Sequence, residues 1–180
     1  MINIRRGIPE DLEEITYVNR KTWKTTYPNI VDKEFLDNLP LTIPKEDLEL
    51  KKKEVINGKS NYIVALDGEK IIGMLKYANA DGEENKDTAE IKALYILQEY
   101  QKHGIGKKMV NMATEEMAKE KYKNMIIGCM VENPANEFYE KIGGRHIGKR
   151  DFILDNKPYK ENVYFYELEE DKRGSLWTPL

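Results

Sequence analysis

One cysteine, Cys129, and two histidines, His103 and His146, are all the thiol and imidazole side chains among these 180 residues. A single thiol closes no disulfide within the chain and builds no thiolate cluster, and two imidazoles do not make a histidine-rich zinc site. No metal is expected, and a reducing, cytoplasmic setting is. Long apolar runs are missing too: none approaches the ~20 residues of a membrane span. The first residues, Met1-Ile2-Asn3-Ile4-Arg5-Arg6, contain no apolar signal segment. Nor is there an excess of charge of one sign. Lys and Arg number 29 against 32 Asp and Glu, a net charge of −3, so neither nucleic acid nor a membrane is expected as a partner. Repeats and low-complexity tracts are absent, and the length is that of one domain able to bury a substantial core.

Two common nucleotide signatures are also missing, which gives weight to the motif that is there. Residues Gln101-Lys102-His103-Gly104-Ile105-Gly106 separate an apolar run, Ile91 to Leu97, from an amphipathic stretch with Ile105, Met109, Met112, Ala113 and Met117 at helical spacing. A P-loop would need Gly at 101 and Ser or Thr at 108, where Gln101 and Lys108 stand. A dinucleotide fingerprint would need a third Gly where Met109 stands. What remains is a glycine-containing strand-to-helix turn. The first-turn amides of the helix lack intrahelical partners and carry the positive end of its dipole, an arrangement suited to a pyrophosphate. Lys102, His103, Lys107 and Lys108 add donors around it, although paired lysines are often only a solvated helix face.

The remaining elements are read from periodicity and turn residues. Ile2 to Arg5 forms a strand. Pro9-Glu10-Asp11-Leu12 opens a helix reaching about Trp23. Pro28, Pro40 and Pro44 punctuate short helices at 33–39 and 45–57, where Leu48, Val55 and Ile56 give a sparse apolar stripe. Tyr62–Leu66 and Ile71–Ala78 flank Asp67-Gly68-Glu69-Lys70 as a hairpin. After a polar loop at 81–87 come a strand from Glu90, the helix after Gly104, a strand at 125–131, a helix at 134–142 and strands near 145–154 and 158–168. Residues 169–180 read as a polar tail. This order argues an α+β domain over 1–168, with helices on both faces of a mostly antiparallel sheet of about seven strands.

Gln101-x-x-Gly104-x-Gly106 after a β-strand, followed by Asn133-Pro134-Ala135-Asn136-Glu137-Phe138-Tyr139-Glu140-Lys141-Ile142-Gly143, resembles the two conserved blocks of the GNAT superfamily of N-acyltransferases. Trp23-x-x-x-Tyr27 is similar to an acceptor-side helix of its bacterial branches. The resemblance covers about residues 2–168. It implies a mixed sheet splayed between its fourth and fifth strands, with acetyl-CoA entering the gap as co-substrate. It further implies that Leu94, Tyr95 and Ile96 pair with the pantetheine arm through their main chain, and that the amide of Tyr95 or Ile96 serves a developing oxyanion. Gln101, Lys102, His103, Gly104, Ile105, Gly106 and Lys107 would take the pyrophosphate.

The resemblance also places chemistry on two side chains. Glu90, fourteen residues before Gly104, stands where related enzymes hold a carboxylate that deprotonates the amine directly or through water; the alternative is an exposed strand-edge acid. Tyr139, four before Gly143, would protonate the departing CoA thiolate, the alternative being a core tyrosine with a tethered hydroxyl. Asn133 could reach the pantetheine or cap the helix beside Pro134, and capping is the favoured role. Gly143-Gly144 departs from the family's frequent Gly-Phe. Trp23, Tyr27 and Phe35 either wall an amine cleft by cation–π contact or pin the first helix to the sheet. The expected activity is direct transfer of an acetyl group to a primary amine of a small metabolite, polyamine, peptide or protein, with Cys129 an inert buried thiol. A homodimer is compatible with this reading. The competing reading is a non-catalytic CoA-binding sensor or docking module.

Overall fold

The computed structural model describes residues 1–81 and 86–168; the tail at 169–180 and most of the acidic loop lie outside them. Strands β1 (Ile2–Arg6), β2 (Asn61–Asp67), β3 (Lys70–Asn79), β4 (Thr88–Ile96), β5 (Asn124–Met130), β6 (Arg145–Leu154) and β7 (Lys157–Glu167) form one sheet. Its order is β1-β2-β3-β4-β5-β7-β6. The pairs β1–β2, β2–β3, β5–β7 and β6–β7 are antiparallel, and β4–β5 is parallel. Helices α1 (Leu12–Thr26), α2 (Lys33–Asn38), α3 (Lys45–Ile56), α4 (Ile105–Lys119) and α5 (Asn136–Lys141) complete it. The mixed, open sheet with helices is the expected α+β architecture.

Contacts divide the chain into two compact units: Met1–Ala78 with Lys92–Ala113, and Asn79–Ile91 with the residues from Thr114 onward. In the first, Tyr62–Leu66 and Ile71–Leu75 are buried on consecutive positions, the pattern of strands covered on both faces. Adjacent residues of β4 show what covers them. Tyr95 meets Trp23 of α1, with ring centroids 6.4 Å apart. Its neighbour Ile96 must point to the other face, and there it lies with Met109 of α4 against Gly73. A Cβ at Gly73 would come within 3.3 Å of both side chains.

The start of α1 follows from local chemistry. Arg5 holds Asp11 through two hydrogen bonds of 2.6 and 2.8 Å, and the Ile8 amide donates to the same carboxylate at 2.8 Å. Leu12, Ile15 and Val18 then bury one stripe. Further along α1, Glu14 accepts the Ile71 amide at 3.0 Å and fixes the helix to β3. Two apolar expectations need correction. In α3 only Leu48 is buried, and Ile56 is 71% exposed because it falls in the last turn. In α4 Val110 is buried while Met112 is only half-buried, a rotation of the apolar stripe by part of a turn.

In the second unit, β7 lies between β5 and β6, pairing with β5 from Asn124↔Glu167 to Met130↔Glu161 and with β6 from Arg145↔Phe165 to Leu154↔Lys157. Alternation puts Glu161, Val163 and Phe165 on one face and Asn162, Tyr164 and Tyr166 on the other. The latter face carries α5: Tyr166 donates its hydroxyl to the Tyr139 carbonyl at 2.9 Å, and Tyr164 to Asn136 Oδ1 at 2.8 Å.

Candidate active site

The turn after β4 is built by backbone conformation. Leu97 closes the strand by donating to the Ile72 carbonyl at 2.9 Å, and a single 3-10 turn follows at Gln98–Tyr100. Gln101 then donates its side-chain amide to the Ile96 carbonyl at 2.9 Å, tying the loop back to the strand end. That tie was not expected, and it occupies one of the donors of the Gln101 side chain. Lys102 and Gly104 both take left-handed conformations, at φ 65° and 74°. In such alternation successive N–H groups converge on one concavity able to hold an anion. Lys108 donates to the Gly104 carbonyl at 3.2 Å, which starts the helical ladder, so the first-turn amides at Ile105, Gly106 and Lys107 precede it. Ile105 is buried beneath the turn, and Lys102, His103, Gly104, Lys107 and Lys108 are exposed around it. A Cβ on Gly104 would meet nothing within 4 Å. Glycine is required there by its backbone angle, and the space beside it is open.

Leu94, Tyr95 and Ile96, half-buried, end β4 just before this turn. The registered pairing of β4 with β5 runs from Thr88↔Asn124 to Ile91↔Ile127, and β4 continues to Ile96. Trp23 lies 4.6 Å from the ring of Tyr27, 6.2 Å from Phe35 and 6.4 Å from Tyr95. Tyr27 is buried and Trp23 half-buried, so this aromatic cluster joins α1 and α2 to the end of β4.

Glu90 is 1% exposed, which removes the alternative of a solvent-facing edge acid. Its Oε1 accepts from Arg150 Nη2 at 2.5 Å, and Arg150 Nε donates to Glu161 Oε2 at 2.8 Å. Burial alone would lower the Arg150 guanidinium, but the hydrogen bonds to Glu90 and Glu161 outweigh it and hold it above its ordinary value. The arginine comes from β6 and passes over Gly128 of β5. A Cβ at Gly128 would lie 2.5 Å from both Arg150 Nη2 and Glu161 Oε2. Neither Arg150 nor Glu161 was foreseen: they are sixty and seventy-one positions beyond Glu90, on strands whose spatial order no local pattern reveals.

Tyr139 is 6% exposed on α5, its ring 5.4 Å from Phe138 and 6.0 Å from Tyr164. Glu161 and Tyr164 sit on opposite faces of β7, so the Glu90 ion pair and the helix that carries Tyr139 lie on opposite faces of the sheet. Asn133 Oδ1 accepts from the Ala135 amide at 2.9 Å, a local turn bond that opens the segment before α5. Asn136, also unforeseen, ties three elements together: it donates to the carbonyls of Met130 and Asn133 and accepts from Asn162 and Tyr164. Gly144 has a steric reason. A Cβ there would come 2.6 Å from the Tyr166 hydroxyl and 2.7 Å from the Tyr139 carbonyl, so the room for an aromatic is taken by Tyr166. Cys129 lies buried in β5, and burial, helped by the charge of Glu161, pushes its thiol up to about 12. Among the described residues no group of three or more His, Cys, Asp or Glu could hold a metal ion, and no helix is long and apolar enough to cross a membrane.

The mixed sheet with its parallel β4–β5 pair is a fold shared with solved acetyltransferases, and the sequence comparison gives the class. The profile of the Acetyltransferase (GNAT) family matches residues 26–144, and the chain belongs to that family. It is an N-acetyltransferase. The chain is 24% identical over 162 residues to the uncharacterized N-acetyltransferase YuaI of Bacillus subtilis, covering 89% of this chain and 90% of that one. It is 28% identical over 164 residues to a spermidine N(1)-acetyltransferase of Thermoplasma acidophilum, covering 87% and 97%. Its fold is shared with the crystal structure of the PaiA N-acetyltransferase of the same organism in complex with coenzyme A. The TM-score is 0.71 at 22% identity, over 93% of this chain and 99% of that one.

Proposed function

We propose that this enzyme transfers the acetyl group of acetyl-CoA to a primary amine by direct attack, with Glu90 accepting the amine proton and Tyr139 supplying a proton to the departing sulfur. The observation that carries the proposal is the turn at 101–107. Two left-handed residues and the opening amides of α4 make a main-chain cradle, and its chemistry fits a pyrophosphate. Acetyl-CoA is the co-substrate, and it brings an activated thioester. The main chain of Leu94, Tyr95 and Ile96 holds the arm of the ligand, residues 101–107 hold its phosphates, and the Tyr95 or Ile96 amide stabilises negative charge on the carbonyl oxygen. Asn133 is a further candidate for the arm, beside its turn bond to Ala135.

Glu90 and Tyr139 approach from opposite faces of the sheet, so one group serves the amine and the other the sulfur, each needing hydrogen-bond reach of its own reacting atom. An amine enters as an ammonium and must lose a proton before it attacks; a buried carboxylate held by a guanidinium is an acceptor of fixed position. Half-buried Trp23, backed by the buried ring of Tyr27, is the aromatic face offered to an approaching cation. Polyamines head the acceptor panel because a relative is named for spermidine, followed by small metabolite amines and peptide or protein amines. A cytoplasmic reaction suits the lone buried thiol.

The test is release of free CoA from acetyl-CoA in the presence of each amine, with the acetylated product identified by mass spectrometry. Turnover with at least one primary amine is expected. Tight acetyl-CoA binding without turnover on any amine would refute the reading in favour of a CoA sensor.

A further inference from the structure

From the geometry around Glu90 we infer that Arg150 is a positioning residue for the transfer, holding the Glu90 carboxylate in one orientation, and that Glu161 is the anchor that holds Arg150. The inference rests on Glu90 as the proton acceptor of the reaction.

Three observations carry it. The first is the fork: Arg150 uses two different nitrogens for two carboxylates, Nη2 on Glu90 at 2.5 Å and Nε on Glu161 at 2.8 Å. A guanidinium is planar and rigid, so fixing Nε by Glu161 also fixes where Nη2 can meet Glu90. The second is the reach. Arg150 stands on the edge strand β6 and Glu90 on β4, with β7 and β5 between them, and the side chain crosses at the one β5 position without a Cβ, Gly128. The third is the gradient of exposure. Side-chain exposure falls from 40% at Arg150 to 11% at Glu161 and 2% at Glu90. The cation is therefore partly wet while the carboxylate it serves is dry.

The fork suits a base that must be aimed: Glu161 fixes Arg150, and Arg150 fixes one oxygen of Glu90. Without the guanidinium that orientation is lost, and a carboxylate out of reach of the amine cannot take its proton. Were the triad only structural, its loss would lower stability and leave turnover by the folded fraction unchanged.

The test measures kcat and the acceptor KM, with the amine of highest turnover, together with acetyl-CoA affinity by calorimetry and Tm. The variants are Glu90→Gln, Arg150→Gln, Arg150→Lys, Gly128→Ala and the double variant Glu90→Gln/Arg150→Gln. For Arg150→Gln, kcat is expected to fall by about 10- to 100-fold, the scale of a misplaced reacting group, with acetyl-CoA affinity retained. Arg150→Lys should recover part of the loss, since a point charge restores the sign but not the fork. Gly128→Ala keeps all three ionic side chains and displaces two of them, so it should lower kcat even if Arg150→Gln does not fold. The double variant should be no slower than Glu90→Gln alone. If Glu90→Gln is slow while the folded Arg150→Gln and Gly128→Ala keep the wild-type kcat, the positioning role is overturned and Glu90 as base stands. Multiplying effects in the double variant would overturn it as well, because Arg150 would then act elsewhere. A fully active Glu90→Gln would overturn both readings.

Discussion

Cys129 offers a quantitative test of direct transfer. It is the only thiol in the chain, hence the only sulfur on which an acetyl group could rest between donor and acceptor. It lies on β5, buried, with its thiol pushed up to about 12. At pH 8 an exposed cysteine of ordinary pKa is about one quarter thiolate, whereas a group at about 12 is ionised to roughly one part in 10⁴. Ionisation alone therefore slows attack on an aromatic disulfide reagent by about 2,000-fold, and burial slows it further. The sign follows from burial, which penalises the charged form: the thiolate gains population only as the pH climbs towards the raised value. Because the folded pKa exceeds the unfolded one, this group's contribution to stability is complete below the unfolded pKa of about 8.5 and declines as the pH rises above it. The assay follows colour release in native buffer and again in denaturant, where the thiol should react at once. Cys129→Ala removes one buried sulfur, at a cost of about 1 kcal/mol, or some 2–4 °C in Tm for a chain of this size, and turnover should persist. A native thiol that reacts rapidly at pH 8, or a stable Cys129→Ala variant that binds acetyl-CoA without turnover, would refute direct transfer.

Three further predictions concern the site. Gly104→Ala should weaken acetyl-CoA binding modestly, since the left-handed backbone costs a side chain about 1–2 kcal/mol and the space itself is open; Gly104→Asp should weaken it far more by adding negative charge to the cradle. Unchanged affinity in a folded Gly104→Asp variant, measured by calorimetry, would remove the phosphate assignment. Glu90→Gln and Tyr139→Phe should each lower kcat by about 10² to 10⁴ with acetyl-CoA affinity nearly intact; a steady-state series at saturating acetyl-CoA checks both, and full activity of either removes that residue from proton transfer. Gly144→Phe, which would restore the family's frequent residue, should destabilise the protein by about 1–3 kcal/mol or more through overpacking against Tyr166 and the Tyr139 carbonyl; thermal unfolding with an unchanged Tm would show that this segment repacks freely.

The turn at 101–106 was readable because its chemistry is local: glycine spacing, a preceding apolar run and a following helical stripe are all neighbours in the chain. The hairpin at Asp67–Lys70 and the helix opening at Pro9 were legible for the same reason. Side-chain partners within the turn were not. That Gln101 bonds the Ile96 carbonyl depends on one rotamer, and that Gly144 excludes an aromatic depends on where the Tyr166 hydroxyl lands.

The boundary between the two sources of information is sequence separation. Local propensity, hydrophobic period and turn chemistry act over a few residues, and from them the chain by itself determined its elements, the turn before α4 and, through two ordered motifs, its family. Strand order is a global choice, made by which faces can be buried together. The insertion of β7 between β5 and β6 sets Glu161 opposite both Met130 and Arg150, and only then can a guanidinium cross Gly128 to a carboxylate sixty residues away in the chain. The same pleat puts Glu161 and Tyr164 on opposite faces and thereby separates the side of Glu90 from the side of Tyr139. No spacing in the chain encodes those relations. They exist because distant strands were packed side by side, and that was decided by the tertiary structure alone.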